Sequence, residues 1–171
     1  MNLRLIILIA LLIGPSACSP HPPPAHTDSA PEIRQWNRLV HQRLNDYRRD
    51  KGLAPLAYHD GLEQLCTDHS RWLRRERGSS FLIGSHVSHS GSAYRARYAR
   101  IQFGMSDWDE NVAYISQTPE DIAAHLILMW RASPPHQKVM LGDWTHSGVG
   151  ISVDDDGAVF VTMNFGSKTP V

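Results

Sequence analysis

The sequence predicts an α+β fold in which helices pack on a sheet. Three observations predict it: apolar residues recur at helical spacing in the first half of the chain, they alternate near the C-terminus, and turn residues separate these segments. The chain has 171 residues, of which 42% are hydrophobic and 20% are charged. These values are typical of a single globular domain and exclude a disordered chain.

The first 17 residues have the pattern of an export signal. Arg4 precedes an apolar run over residues 5–13, which is too short to span a bilayer, and the small residue Ala17 stands directly before Cys18. This order resembles a bacterial lipoprotein signal and predicts a lipid anchor on Cys18 that attaches the protein to a membrane. Ordinary cleavage nearby, with release into the periplasm, is the alternative.

The chain is therefore divided into a lipoprotein-type signal peptide (1–17), a proline-rich spacer (18–30) and one domain (31–171). The spacer is polar and cannot form a core, so it would hold the domain away from a membrane. Serine at position 19 favours the outer membrane, by similarity to enterobacterial sorting. We expect a protein of the cell envelope: an outer-membrane lipoprotein, or otherwise a periplasmic or secreted protein.

Two helices open the predicted domain. Helical spacing predicts a long amphipathic helix that begins near Pro31 and is ended by Gly52. A second helix is predicted to be capped by Asp60 and to end at Gly78, with Cys66 as a small core residue on its buried face. Together they form the first half of a helical layer.

The middle of the chain alternates between loops and short elements. A loop rich in Ser, Gly and His covers residues 79–91, and a shorter helix follows and ends at Gly104. Residues 111–116 favour a strand. Thr118 is predicted to cap the next helix, which residues 133–135 end because two of them are prolines.

Two adjacent strands and a turn end the domain. The segments GVGISV and AVFVTMNF flank the turn Asp154–Gly157 and predict a hairpin. The whole chain carries 17 basic and 17 acidic residues, and this balance gives no reason to expect a nucleic-acid partner.

The candidate chemistry lies on imidazole and carboxylate groups at the element boundaries, since the chain has ten histidines. These two groups bind divalent metals, and three protein ligands with an open fourth position form a reactive zinc site. The motifs HExxH and GxSxG are absent, which excludes a metalloprotease of the first type and the elbow of serine hydrolases. Two cysteines cannot form a disulfide scaffold or a thiolate zinc site.

Seven motifs follow one another in a specific order: LNDYRRDKGLAPLAYHDGLEQLCTDHS, SHVSHSG, ENVA, QTPEDI, WRASPPH, GVGI and VTMNFG. With them the chain resembles bacterial secreted CAP-domain proteins, a superfamily also called SCP, TAPS and PR-1-like. The resemblance covers about Ile33 to Gly166. It implies a three-layer α-β-α sandwich, which is compatible with the pattern described above.

The resemblance also implies a site. Members commonly line a central cleft with two histidines and two acidic residues, which in some cases bind Zn2+ or another divalent cation. By motif, Glu110 and His136 belong to this cleft, and His86, His136 and Glu110 would be the metal ligands. His86 fits the motif His-x-Ser-x-x-Gly best, and His89 is the alternative. Ser133 stands in the place of the second acid, so metal affinity should be weaker.

Each candidate also has a structural interpretation. His86 and His89 in a Ser/Gly loop are then solvated, and Glu110 is a buried carboxylate that ties a loop to backbone amides. His136 would cap a short helix. His69, on a helical face, is interpreted as a packing residue rather than a ligand.

Three functions are compatible with these residues, and no catalytic residue is assigned. The first is a non-catalytic, envelope-anchored protein whose His/Glu cleft binds a small-molecule, lipid or protein ligand; the missing second carboxylate supports it. The second is a peptidase-like, metal-dependent hydrolase in which His86 and His136 hold the metal and Glu110 is the base. The third is sterol or fatty-acid binding, which requires an apolar groove.

Overall fold

In the computed structural model, which describes residues 31–77 and 87–168, five helices pack on one four-stranded sheet. In chain order the elements are α1 (Pro31–Asp50), β1 (Ala57–Tyr58), α2 (Asp60–Arg75), α3 (Ser92–Phe103), β2 (Met105–Ile115), α4 (Ile122–Arg131), α5 (Pro134–Met140), β3 (His146–Val153) and β4 (Val159–Lys168). The predicted signal peptide (1–17), the spacer (18–30) and His86 lie outside the described residues. None of the helices in the described part is long and apolar enough to cross a membrane.

The sheet has the strand order β1-β3-β4-β2, which makes β2 an edge strand. β3 and β4 form the predicted antiparallel hairpin, β2 pairs antiparallel with β4, and β1 pairs in parallel with β3. β1 has only two residues, too few for a sequence pattern. β2 begins at Met105, earlier than the predicted start near residue 111. The sequence pattern does not show its first half as a strand, because those residues are mostly polar and exposed at the edge of the sheet.

Side-chain alternation along the sheet divides the domain into three layers. Odd-numbered residues of β3 and β4, such as Val149, Val161 and Phe165, join a core with α1, α4 and α5. Phe160, on the opposite face, packs with Leu73 of α2, and α3 joins α2 on that side. The α+β fold and the three-layer α-β-α sandwich are therefore confirmed.

Two glycines of β3 allow α2 to lie directly on the sheet. A Cβ atom at Gly150 would collide with the backbone nitrogen of Thr67, and one at Gly148 would collide with the backbone of α2 one turn earlier. The close approach lets the buried Cys66 donate a hydrogen bond to Gly148 O at 3.2 Å. The predicted core position of Cys66 is correct, and the same packing brings His69 of α2 to the sheet.

The cap of α2 differs from the prediction. His59, not Asp60, is the capping residue: its Nδ1 accepts a hydrogen bond from Leu62 N at 3.2 Å, while Asp60 is the first helical residue. An imidazole nitrogen replaces the usual carboxylate oxygen here. Asp60 still lies in the first turn, where a negative charge is favourable.

The predicted cap of α4 is also wrong. Asp121 caps the helix by accepting a hydrogen bond from Ala124 N at 2.9 Å, and Thr118 instead donates to a backbone carbonyl of the β3–β4 turn. Residues 133–135 do end the helical run of α4, but they also begin α5. Ser133 is the residue before α5, and Pro134 occupies its first position, where a missing N–H costs nothing.

Candidate functional site

A cavity of about 350 Å³ lies along the edge strand β2, between the loop that precedes α3 and the start of α5. Among the described residues no strand pairs with β2 on this side, so its residues are accessible to side chains from both flanking elements. The residues that line the cavity are His89, Ser92, Trp108, Asp109, Glu110, Asn111, Pro135, His136 and Val139. We refer to it as the β2 cleft.

The β2 cleft brings together three of the residues that the sequence singles out: His89, Glu110 and His136. Ser133 lies beside them, with its Oγ 2.7 Å from Nδ1 of His136. His136 lies in the first turn of α5, and Ser133 rather than His136 is the N-cap residue of this helix. His86 lies outside the described residues, so its place in the cleft stays a prediction, whereas His89 is placed there directly.

Glu110 is buried, and both oxygens of its carboxylate accept hydrogen bonds from side chains. Arg95 donates two parallel hydrogen bonds, from Nε to Oε2 and from Nη2 to Oε1, both at 2.7 Å. Nδ1 of His89 lies 3.0 Å from Oε1. The carboxylate is thus buried, as the structural interpretation holds, but its partners are a guanidinium and an imidazole rather than backbone amides.

Sequence reasoning missed Arg95. Its Nη1 also donates to Ser90 O at 2.8 Å, so one side chain joins the loop of His89 to strand β2. Gly91, with φ of 74°, lets this loop turn into α3. Apolar residues are spread around α3, and the pattern does not show which of its three arginines turns inwards.

The electrostatics of the cleft assign different protonation states to its groups. Burial alone would raise the pKa of Glu110, but hydrogen bonds from His89 and Arg95 and the positive charge of Arg95 outweigh it, and the pKa lies below its usual value. The hydrogen bond to Glu110 raises the pKa of His89. Burial lowers the pKa of His136, and the charge of His89 adds to this. Glu110 stays ionised, and His89 is the group that takes up a proton first.

A third imidazole lies behind the carboxylate. His69 is buried on α2, with Nδ1 3.1 Å from Thr162 Oγ1 and 3.8 Å from Oε2 of Glu110. Ser70 Oγ lies 3.0 Å from the same Thr162 hydroxyl. Burial lowers the pKa of His69 to about 4, so this imidazole is neutral near pH 7.

Asn111 supplies an unsatisfied acceptor at the cleft. Its Nδ2 donates to His136 O at 3.0 Å and so ties β2 to α5. Its Oδ1 is buried and has no hydrogen-bond partner within residues 31–77 and 87–168. A buried acceptor without a partner costs free energy.

A protein-family model matches most of the sequence of this domain. The model is CAP, described as the cysteine-rich secretory protein family, and it matches residues 41–165, from α1 into β4. The chain belongs to this family. The resemblance inferred from the ordered motifs is thus confirmed.

Solved structures of three bacterial proteins share the fold. An outer surface protein of Borrelia burgdorferi is 16% identical with a TM-score of 0.62, and the match covers 77% of this chain and 92% of that protein. A cysteine-rich secretory protein of Staphylococcus aureus is 19% identical with a TM-score of 0.58, and the match covers 79% of this chain and 39% of that protein. An extracellular SCP-domain protein of Bacillus anthracis is 21% identical with a TM-score of 0.57, and the match covers 79% of this chain and 41% of that protein. This chain spans about two fifths of the length of the latter two. No curated protein sequence matches it significantly.

The described part of this CAP domain does not form a complete metal site. Within residues 31–77 and 87–168, no group of three or more His, Cys, Asp or Glu side chains is arranged to hold a metal ion. Glu110 does not fit a metal while Arg95 holds both of its oxygens. The predicted ligand set of His86, His136 and Glu110 stays a prediction, because His86 lies outside these residues.

The CAP domain also has a larger, mostly apolar groove of about 750 Å³ between α2 and α3. Aromatic side chains form much of its surface, and Arg95 and His69 line it as well. Since Glu110 lines the β2 cleft, the Arg95–Glu110 pair lies between the two cavities. The aromatic residues of the groove are Trp72, Tyr94, Tyr98 and Phe103.

Proposed function

We propose that this CAP domain is a non-catalytic binding protein that acts outside the cytoplasm, and that its β2 cleft takes a polar ligand carrying a hydrogen-bond donor. The single observation that carries the proposal is the commitment of both Glu110 oxygens to Arg95. It leaves the imidazoles of His89 and His136 as the groups available to a ligand, and the neutral imidazole of His136, whose pKa is lowered by burial, can accept a hydrogen bond.

The same pairing argues against a hydrolase. A general base works best with a pKa near the working pH, whereas the pKa of Glu110 is lowered below that of an ordinary carboxyl group. To accept a proton from water, Glu110 would also have to give up an ion pair in the protein interior, which is costly. Glu110 is therefore a poor base in this geometry.

The location outside the cytoplasm rests on the export pattern of residues 1–17 and on the related structures. One of these is an outer surface protein and another is an extracellular protein. An anchor on Cys18 followed by the polar spacer would leave the β2 cleft accessible to molecules of the envelope.

The test is an NMR titration of the isotope-labelled protein with N-acetylglycinamide, a neutral amide that donates and accepts hydrogen bonds. We expect the side-chain signals of His89 and His136 to shift, with a Kd of about 1 mM. Sodium acetate, which has no donor near pH 7, should bind more weakly.

His136→Ala should weaken binding of this amide about fivefold or more. His125→Ala is the matched control, because His125 is exposed on α4 and does not line the cleft. Shifts of equal size in the wild type and in His136→Ala would contradict the proposal, as would the absence of any shift at these residues.

The apolar groove between α2 and α3 favours a second candidate function, the binding of a fatty acid. Its volume of about 750 Å³ and its aromatic lining are typical of small-molecule sites. A fluorescent fatty acid should bind the wild type, and Tyr98→Glu should weaken that binding without affecting the amide titration. Leu128→Glu, at an exposed position of α4 that does not line the groove, is the control.

A further inference from the structure

Arg95 and Glu110 form a buried, bidentate ion pair. Both residues are buried, with 7% and 4% of their surface exposed. The guanidinium approaches the carboxylate edge to edge through two bonds of 2.7 Å, the bidentate arrangement that makes such pairs strong and directional.

This arrangement uses the oxygen lone pairs that a divalent cation would use. A carboxylate offers about four lone-pair directions on its two oxygens. Arg95 takes one on each oxygen, and His89 takes another on Oε1. A dication bound to the one remaining position, on Oε2, would also face the positive guanidinium at short range and at low dielectric, where like charges repel strongly.

We infer that the guanidinium of Arg95 takes the place, at Glu110, that the CAP resemblance assigns to a metal ion. The negative charge of the carboxylate is then neutralised by Arg95, and Glu110 needs no bound metal. The inference goes beyond the proposed function, because it holds whatever the β2 cleft binds. It also explains why Ser133 can stand where the resemblance expects a second acid. The charge of one carboxylate is already neutralised by one guanidinium, so a second carboxylate is not needed to hold a cation.

Arg95 is then a positioning residue for the cleft. Its third hydrogen bond, to Ser90 O, fixes the loop that carries His89. His89 in turn bonds to Glu110, so the loop, α3 and the edge strand are joined through one guanidinium.

The test is zinc binding by the metal-free full-length protein, measured by calorimetry. Arg95→Met frees the carboxylate, and we expect it to bind Zn2+ at least about tenfold more tightly than the wild type does. Arg97→Met is the matched control, because Arg97 is exposed on the same helix, and its zinc affinity should equal that of the wild type. The gain should disappear in Arg95→Met/Glu110→Gln.

A second measurement on the wild type decides the question if Arg95→Met does not fold. The Nε–H signal of Arg95 and the carboxyl carbon signal of Glu110 should be unchanged by one equivalent of Zn2+, even if imidazole signals shift. Displacement of the Arg95 signal by Zn2+ would overturn the inference. A folded Arg95→Met variant that binds Zn2+ no more tightly than Arg97→Met would also overturn it.

Discussion

The guanidinium of Arg95 meets the carboxylate of Glu110 edge to edge in the interior of the domain, through two hydrogen bonds of 2.7 Å. The two residues stand fifteen positions apart, on α3 and on the edge strand β2. The pair couples these elements and keeps Glu110 ionised. It therefore affects both the stability of the domain and the chemistry of the β2 cleft.

Arg95→Met should destabilise the domain by about 3–5 kcal/mol, because it leaves a buried carboxylate without its partner. Urea unfolding followed by circular dichroism measures this change. Arg97→Met, at an exposed position of α3, should stay within about 0.5 kcal/mol of the wild type. Arg95→Met/Glu110→Gln should recover part of the loss; strictly additive effects of the two substitutions would show that the pair is not coupled.

The stability of the domain should fall in mild acid because of His69. Burial lowers its folded-state pKa from 6.5 to about 4, so the unfolded chain takes up the proton first. This contribution to stability is complete above about pH 6.5 and is lost as the pH falls towards about 4; for one such group the loss at pH 5 is about 2 kcal/mol.

Unfolding measured at about pH 7 and pH 5 tests the role of His69. His69→Gln should reduce the difference between the two pH values. Part of the pH dependence should persist in that variant, because burial also lowers the pKa of His41 to about 4. A pH dependence that is the same in the wild type and in His69→Gln would contradict the assignment.

His89 should titrate in the opposite direction. Its hydrogen bond to Glu110 raises its pKa above 6.5, so the stabilisation from its protonated form is complete below about pH 6.5 and is lost as the pH rises through the folded-state pKa. NMR titration of the imidazole protons of His89 should give a midpoint above about 6.5, the usual value for histidine. Glu110→Gln should lower the midpoint of His89, and an unchanged midpoint would exclude Glu110 as the cause.

Gly150→Ala should destabilise the domain by about 3 kcal/mol, because the added Cβ would collide with the backbone of α2 at Cys66 and Thr67. Gly157→Ala is a useful comparison: its surroundings are open, but its φ of 85° is unfavourable for alanine. The midpoint of urea unfolding should fall further for Gly150→Ala. The reverse order would mean that α2 can move away from the sheet at little cost.

Cys18→Ala should move the protein from the membrane fraction to the soluble fraction of cells that express the full chain, because the substitution removes the predicted lipid anchor. Immunoblotting of the separated fractions measures the shift. Ser19→Ala keeps the cysteine and should leave the protein with the membrane. Unchanged fractionation of Cys18→Ala would reject lipidation.

Much of the fold could be predicted from local patterns. Helical spacing identified α1, α2, α3 and α4, and alternation identified the β3–β4 hairpin, because each of these elements buries one face. The exact caps could not be predicted in the same way. Asp60 and Asp121 are both suitable capping residues by type. Only the path of the chain decides that His59 caps α2, with Asp60 inside the helix, and that Asp121 caps α4.

The candidate site was predictable only in part. Ordered motifs pointed to Glu110, to His136 and to His86, with His89 as the alternative. The structure places His89, Glu110 and His136 at one cavity, and His86 lies outside the described residues. Arg95 was not predicted, because an inward-facing arginine has no periodic signature on a helix whose apolar residues are spread around it. The apolar groove was not predicted either, since its residues have the same pattern as core residues.

The sequence by itself determined the class of fold, the order of most elements, the family and the residue types available for chemistry, because these depend on local spacing and on ordered motifs. Only the tertiary structure decided how the carboxylate of Glu110 is neutralised. That choice depends on which cation the packing of α3 against β2 carries into the interior, and residues far apart in the chain meet there only after folding.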